Sequence, residues 1–177
     1  MKVLRLTVNV CSKPHRTIGR LKIVDLPNQT TPYSFFNFLI INTSDYQPDE
    51  FRTICLHEEA HAKQLHSVDI LLLEVVRIFT WFNPMFWLYK KELRTIHEYL
   101  ADEAVVAGGT SQTAYLQLML KQVQTQNRLS LGHPFSAELL KSRILMMKSS
   151  DKVSLKKWRY AILFPLLVAV VLLYSAF

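Results

Sequence analysis

His57-Glu58-Glu59-Ala60-His61 is the stretch on which the fold turns. Two imidazoles four residues apart lie about 40° apart around a helix and one turn up, so both reach a single ion if the segment is helical. Glu58 sits beside the pair. A tetrahedral catalytic metal takes three protein ligands and one water, with a carboxylate able to accept the water's proton. His57 and His61 are candidate ligands and Glu58 the candidate base, which leaves a third ligand to be found. The plain alternative is an amphipathic helix with surface histidines and acids.

Upstream, Asp45 to Pro48 reads as the start of this helix, with Pro48 in the first turn and Asp49 and Glu50 beside the positive end of the dipole. It is predicted to run to about His66. The residues before it have another period: Leu4, Leu6, Val8 and Val10 alternate with Arg5, Thr7 and Asn9, as in a half-buried strand. Leu21 to Val24 and the aromatic run Phe35 to Ile41 read as two further strands, separated by the turn-formers Pro27-Asn28 and Thr31-Pro32. Residues 1–42 are therefore expected to form a small β region and residues 43–150 a helical domain.

Downstream, a strongly apolar helix is predicted from about Val68 to Phe82, a third from Pro84 to the Gly108-Gly109 pair, and two more over Gln112–Arg128 and Ser136–Lys148. The apolar helix carries Asp69, Glu74 and Arg77, which oppose lipid exposure, although Glu74 and Arg77 can pair at i,i+3. About 15 residues reach only about 22 Å, short of the ~30 Å hydrocarbon core. The expectation is burial in protein or partial embedding, with Trp81, Phe82, Phe86, Trp87 and Tyr89 near the interface. A core hairpin without lipid contact is equally open.

Half the residues are hydrophobic and the formal charge is +7. From Lys141 to Arg159 seven basic residues face one acid, and an uncharged apolar run, Tyr160 to Phe177, follows. As a helix that run would span about 27 Å. A basic segment, 151–159, before a transmembrane helix, 160–177, fits an anionic membrane surface better than a polynucleotide, so no nucleic-acid partner is expected. The positive-inside rule places what precedes the helix in the cytoplasm. Cys11 and Cys55 offer no disulfide framework, and the first ten residues hold no apolar stretch suited to a secretory signal. The fold class is mostly α (α+β): a helical, zincin-like core with a small N-terminal β region and a C-terminal transmembrane helix.

Gln64 and Ser67 stand where a metzincin needs Gly and His, which removes that source of a third ligand. Glu98-Tyr99-Leu100-Ala101-Asp102 supplies another. Glu98 and Asp102 share a helix face, where like charges repel, so a cation is expected beside them. Zinc on Glu98, with Asp102 hydrogen-bonding the outer nitrogen of a ligand histidine, satisfies both carboxylates. A solvated acidic patch with Arg94 pairing to Glu98 is the bland alternative. His66 and His97 are rival ligands, and Ser154-Leu155-Lys156-Lys157 matches a serine-lysine nucleophile motif without its partners.

The ordered set of His57 to His61, Gln64-x-His66-Ser67-x-Asp69, Trp81-Phe82-Asn83-Pro84 and Glu98-x-x-Ala101-Asp102 resembles the BlaR/MecR-type membrane metallopeptidases, the β-lactam sensor-transducer family, over about residues 30–150. The resemblance implies a cytoplasm-facing zinc (Zn2+) peptidase domain between membrane helices, coupled to an external sensor, that cleaves itself and promotes loss of a transcriptional repressor. Carried over, His57, His61 and Glu98 are the zinc ligands, Glu58 the base and Asp102 the orienting carboxylate. The expected activity is that of a membrane-anchored zinc-dependent endopeptidase in the bacterial cell membrane. Its expected partners are a protein or peptide substrate, the lipid bilayer and a separate sensor or repressor protein. The further membrane helices and extracellular domain of such proteins are not in this sequence. A fragment, a truncated member or one part of a split system is therefore expected, and the resemblance does not extend to β-lactam sensing. Two other readings stand beside it: a catalytically silent membrane adaptor, and a house-keeping peptidase like the heat-shock and prenyl-protein proteases.

Overall fold

The computed structural model describes residues 14–27, 32–129 and 134–148. The expected strand Leu4–Val10, the basic segment 151–159 and the transmembrane helix 160–177 lie outside the described residues. Among the described residues no helix is long and apolar enough to cross a membrane.

Among the described residues four short strands come first: β1 (Arg16–Ile18), β2 (Leu21–Asp25), β3 (Tyr33–Phe35) and β4 (Phe38–Ile41), in the order β1-β2-β4-β3. β2 and β4 run parallel, while β1 pairs antiparallel with β2 and β3 with β4. The period of two is visible in the burial. Leu21, Ile23, Leu39 and Ile41 face the main core, and Val24 and Ile40 pack on the other side with Tyr33 and Phe38.

Phe35 to Ile41 is not one strand, as its unbroken aromatic and aliphatic run suggests, but a hairpin turning at Phe36-Asn37. Phe36 takes φ 52°, a left-handed value that glycine normally fills in such two-residue turns. Its amide is held by Ser67 Oγ at 3.0 Å. β3 is thereby the edge of the sheet and β4 the interior strand.

After a 3-10 turn at Thr43–Asp45, five α-helices follow among the described residues: α1 (Pro48–Lys63), α2 (His66–Thr80), α3 (Met85–Ala107), α4 (Gln112–Leu129) and α5 (Pro134–Lys148). Glu50 accepts from the Gln47 amide at the start of α1 at 2.9 Å, and Asn83 Oδ1 accepts from the Met85 amide at the start of α3, also at 2.9 Å. Gly109, at φ 86°, closes α3 in the left-handed conformation the Gly-Gly pair predicts.

The first helix stops three residues short of His66, because Leu65 sits at φ 58°, unusual for a branched side chain. Chain direction changes there, and His66 begins α2 instead of ending α1.

α1 packs on α3 and on the sheet, and α4 closes the core. Ile54 and Cys55 of α1, Val105 of α3 and Tyr115, Leu118 and Met119 of α4 meet the inner face of the sheet in one apolar cluster. Burial pushes the Cys55 thiol up to about 11, helped by Glu58 and Glu59.

Candidate metal centre

α1 presents His57 and His61 on one face, and α3, packed against that face, presents Glu98. His57 Nε2 and His61 Nε2 are 3.1 Å apart; Glu98 Oε2 is 3.5 Å from the first and Oε1 3.8 Å from the second. Ligand atoms held ~2.0–2.1 Å from zinc at tetrahedral angles stand about 3.3 Å from one another. The donor set, two imidazoles and a carboxylate within 4.8 Å of each other, therefore fits that ion in both chemistry and spacing. His66 and His97 do not join the three.

Glu58 projects from the same turn of α1 as His57 and is hydrogen-bonded by the Ser34 hydroxyl of the edge strand β3. Burial raises its carboxyl above the usual range, against the lowering effect of His57 and of Ser34. A carboxylate whose affinity for a proton is raised this way is suited to take one at neutral pH and give it back.

The environment of Asp102 differs from the sequence expectation. Its Oδ1 lies 3.5 Å from His57 Nδ1, and the Tyr115 hydroxyl mediates the contact. Tyr115 Oη donates to Asp102 Oδ1 at 2.6 Å and lies 2.8 Å from His57 Nδ1. With its one proton committed to Asp102, the hydroxyl accepts from His57 Nδ1–H. That fixes the tautomer in which Nε2 keeps its lone pair facing His61 and Glu98.

The cation expected beside Glu98 and Asp102 is present as an arginine. Arg143 of α5 grips Asp102 with Nε at 2.9 Å and Nη2 at 2.5 Å, and reaches Glu98 Oε2 with Nη1 at 2.8 Å. Arg143 belongs by sequence to the basic stretch 141–159 expected at a membrane surface, but it points inward, and its side chain is only 16% exposed. A buried carboxylate, Asp102, and a half-buried one, Glu98, one turn apart call for that charge. Glu98 is held well below the usual carboxylate range: burial alone would raise it, but His57 and Arg143 outweigh burial. The same Glu98 contact raises His57 against its burial.

His61 is ordered from its other side. Its Nδ1 is 2.7 Å from His66 Nδ1, His66 stacks on His97 with centroids 3.8 Å apart, and His97 Nε2 reaches Asp69 Oδ2 at 3.1 Å. Burial and the neighbouring His57 lower His61 to about 4; burial with His97 and His61 lowers His66 to about 3. Both rings are therefore neutral near pH 7, the form in which imidazole binds metal.

The site opens into a cleft of about 570 Å³. Tyr33, Ser34 and Phe35 of β3 and Leu140 and Arg143 of α5 are among the residues that line it. Ser34, Tyr115 and Arg143 are the residues that sequence reasoning missed. No spacing rule ties them to the histidine motif, since each reaches the site from a different element.

The BlaR1 peptidase M56 family model matches residues 10–147. A relative by sequence is the regulatory protein BlaR1 of Bacillus licheniformis, 28% identical over 137 residues. That match covers 73% of this chain and 23% of the relative, so the chain corresponds to roughly a quarter of the longer protein's length.

Proposed function

Because the chain belongs to the BlaR1 peptidase M56 family, we propose that it is a zinc-dependent endopeptidase with His57, His61 and Glu98 as metal ligands and Glu58 as general base. The observation that carries this reading is the convergence of two Nε2 atoms and one carboxylate, with the half-buried Glu58 beside them. Zinc, when bound, supplies Lewis acidity toward a water and the scissile carbonyl. Glu58 takes the water's proton and returns it to the leaving amine. Tyr115 and Asp102 keep His57 in the ligating tautomer, and Arg143 balances the charge of Glu98 and Asp102. β3, the edge strand among the described residues, offers main-chain pairing to an extended peptide at the cleft.

In this reading the helical peptidase unit, residues 43–150, is anchored in the bacterial cell membrane through residues 160–177 and faces the cytoplasm. It acts in regulatory signalling by self-cleavage or by removing a repressor. The catalytically silent adaptor is favoured by one contact, Arg143 on Glu98, which competes for the third ligand.

Zinc content of the detergent-purified chain separates the two readings. About one zinc per chain, lost in His57→Ala and in Glu98→Ala, is the expected result, with Glu58→Gln keeping its zinc and losing hydrolysis of an unfolded protein substrate. Well-folded protein that takes up no supplied zinc would favour the adaptor; full hydrolysis by Glu58→Gln would remove the assigned base.

A further inference from the structure

The exposed apolar surface of α2 and α3 is densest at the tip of their hairpin, and continues down α2 through Val75, Leu72 and Leu71. From Ile78 to Tyr89 there is no charged residue. Ile78, Phe79, Trp81, Phe82, Met85 and Trp87 are each more than half exposed, Trp81 reaching 74%. The expectation of burial in protein is thus not met. A contiguous apolar surface of this kind marks an interaction site.

Three features identify what covers it. First, the apolar side chains surround the tip instead of forming one flat face: Met85 and Leu88 lie on one side of α3, and Trp87 points about 100° or more away from them. Second, the polar side chains of the tip turn back on the hairpin's own backbone. Thr80 Oγ1 donates to the Val76 carbonyl at 3.0 Å, and Asn83 Oδ1 accepts from the Met85 amide. That arrangement suits an environment without water. Third, charge returns on both helices at one level as a small collar. Glu74 is paired with Arg77 at 3.0 Å and with Lys90 across the hairpin, and both cations lie over the Trp87 ring. The collar is net positive.

From Arg77 to Trp81 the rise is about 6 Å. That matches the ~5–10 Å to which interfacial helices sink into the boundary between head groups and acyl chains, and is far from the ~30 Å of a span. We propose that the α2–α3 tip is a membrane wedge, seated in a bilayer containing anionic lipid with Glu74, Arg77 and Lys90 at head-group level. The wedge rests neither on the zinc site nor on residues 160–177. A second copy of the chain is the other conceivable cover, but a two-fold contact would cover one side of the tip and leave the other wet.

The full chain has three tryptophans, Trp81, Trp87 and Trp158. With Trp87→Phe and Trp158→Phe, Trp81 reports alone; with Trp81→Phe and Trp158→Phe, Trp87 does, which guards against one variant failing to fold. On vesicles of phosphatidylcholine and phosphatidylglycerol, the emission of either reporter should shift to the blue. Lipid brominated high on its acyl chains should quench it more than lipid brominated deep. Anchoring through residues 160–177 alone would bring the chain to the vesicle and leave both reporters open to aqueous iodide, and that result overturns the wedge. So does blue emission already present in a vesicle-free dimer detected by sedimentation, which assigns the tip to a second copy. Equal quenching in pure phosphatidylcholine would overturn the role given to anionic head groups.

Discussion

Tyr115 carries one proton and serves three neighbours. It donates to Asp102 and accepts from His57 and, at 3.2 Å, from Arg143 Nη2. Tyr115→Phe removes the acceptor that holds the His57 tautomer, and partners of this kind are worth about 10–100-fold in metal affinity. Competition against a fluorescent zinc chelator should show a loss of that size, with helical content unchanged. The histidines also set a pH dependence for the metal-free chain. His61 and His66 have folded values near 4 and 3, below the ordinary 6.5, so the unfolded chain binds their protons first. Stability is then fully present above about pH 6.5 and is lost as pH falls toward 4, with up to about two protons taken up on unfolding. His57, raised by Glu98, works in the opposite sense through one proton, its contribution fading as pH rises. Urea midpoints measured between pH 7 and pH 4.5 in the presence of chelator should fall steadily; a flat profile would mean that the two rings are not held neutral.

Among the elements, the break between α1 and α2 matters most to the site. Leu65 holds a left-handed conformation that costs a branched side chain about 1–2 kcal/mol, yet the turn it makes brings His66 against His61. Its side chain is 59% exposed, so little packing is lost on truncation. Leu65→Gly is expected to raise unfolding free energy by about 1 kcal/mol in urea titrations, with zinc uptake intact. Helix starts and stops were largely legible, because Pro48, Asn83-Pro84 and Gly108-Gly109 are local signals with local causes. Two turns were not. Phe36 and Leu65 adopt positive φ without being Gly or Asn, so nothing in their own chemistry announces a bend. Each is imposed by tertiary partners, Ser67 on the Phe36 amide and the packing of α2 beside α1.

Across the whole molecule, the residues proposed as ligands and base are readable from two motifs, whereas the groups packed around them are not. His57, Glu58 and His61 announce themselves by spacing, and Glu98 with Asp102 by an unexplained like-charge pair. The answer to that pair, Arg143, was concealed in a run of lysines and arginines that composition assigns to a membrane surface. Its inward aim depends on where α5 packs, which no short pattern encodes. Arg143 bridges α3 to α5 and touches the Tyr115 hydroxyl of α4, so it acts as a structural tie as well as a counter-charge. Arg143→Ala strands Asp102, only 2% exposed, without a cation, and is expected to cost about 3–5 kcal/mol in chemical denaturation. The tie also sets a chronology. As the ribosome delivers the chain, both histidines and both carboxylates precede Arg143, Asp102 by 41 residues, so over that stretch of synthesis the nascent carboxylate pair lacks its arginine. The centre is completed only when α5 has cleared the exit tunnel and docked.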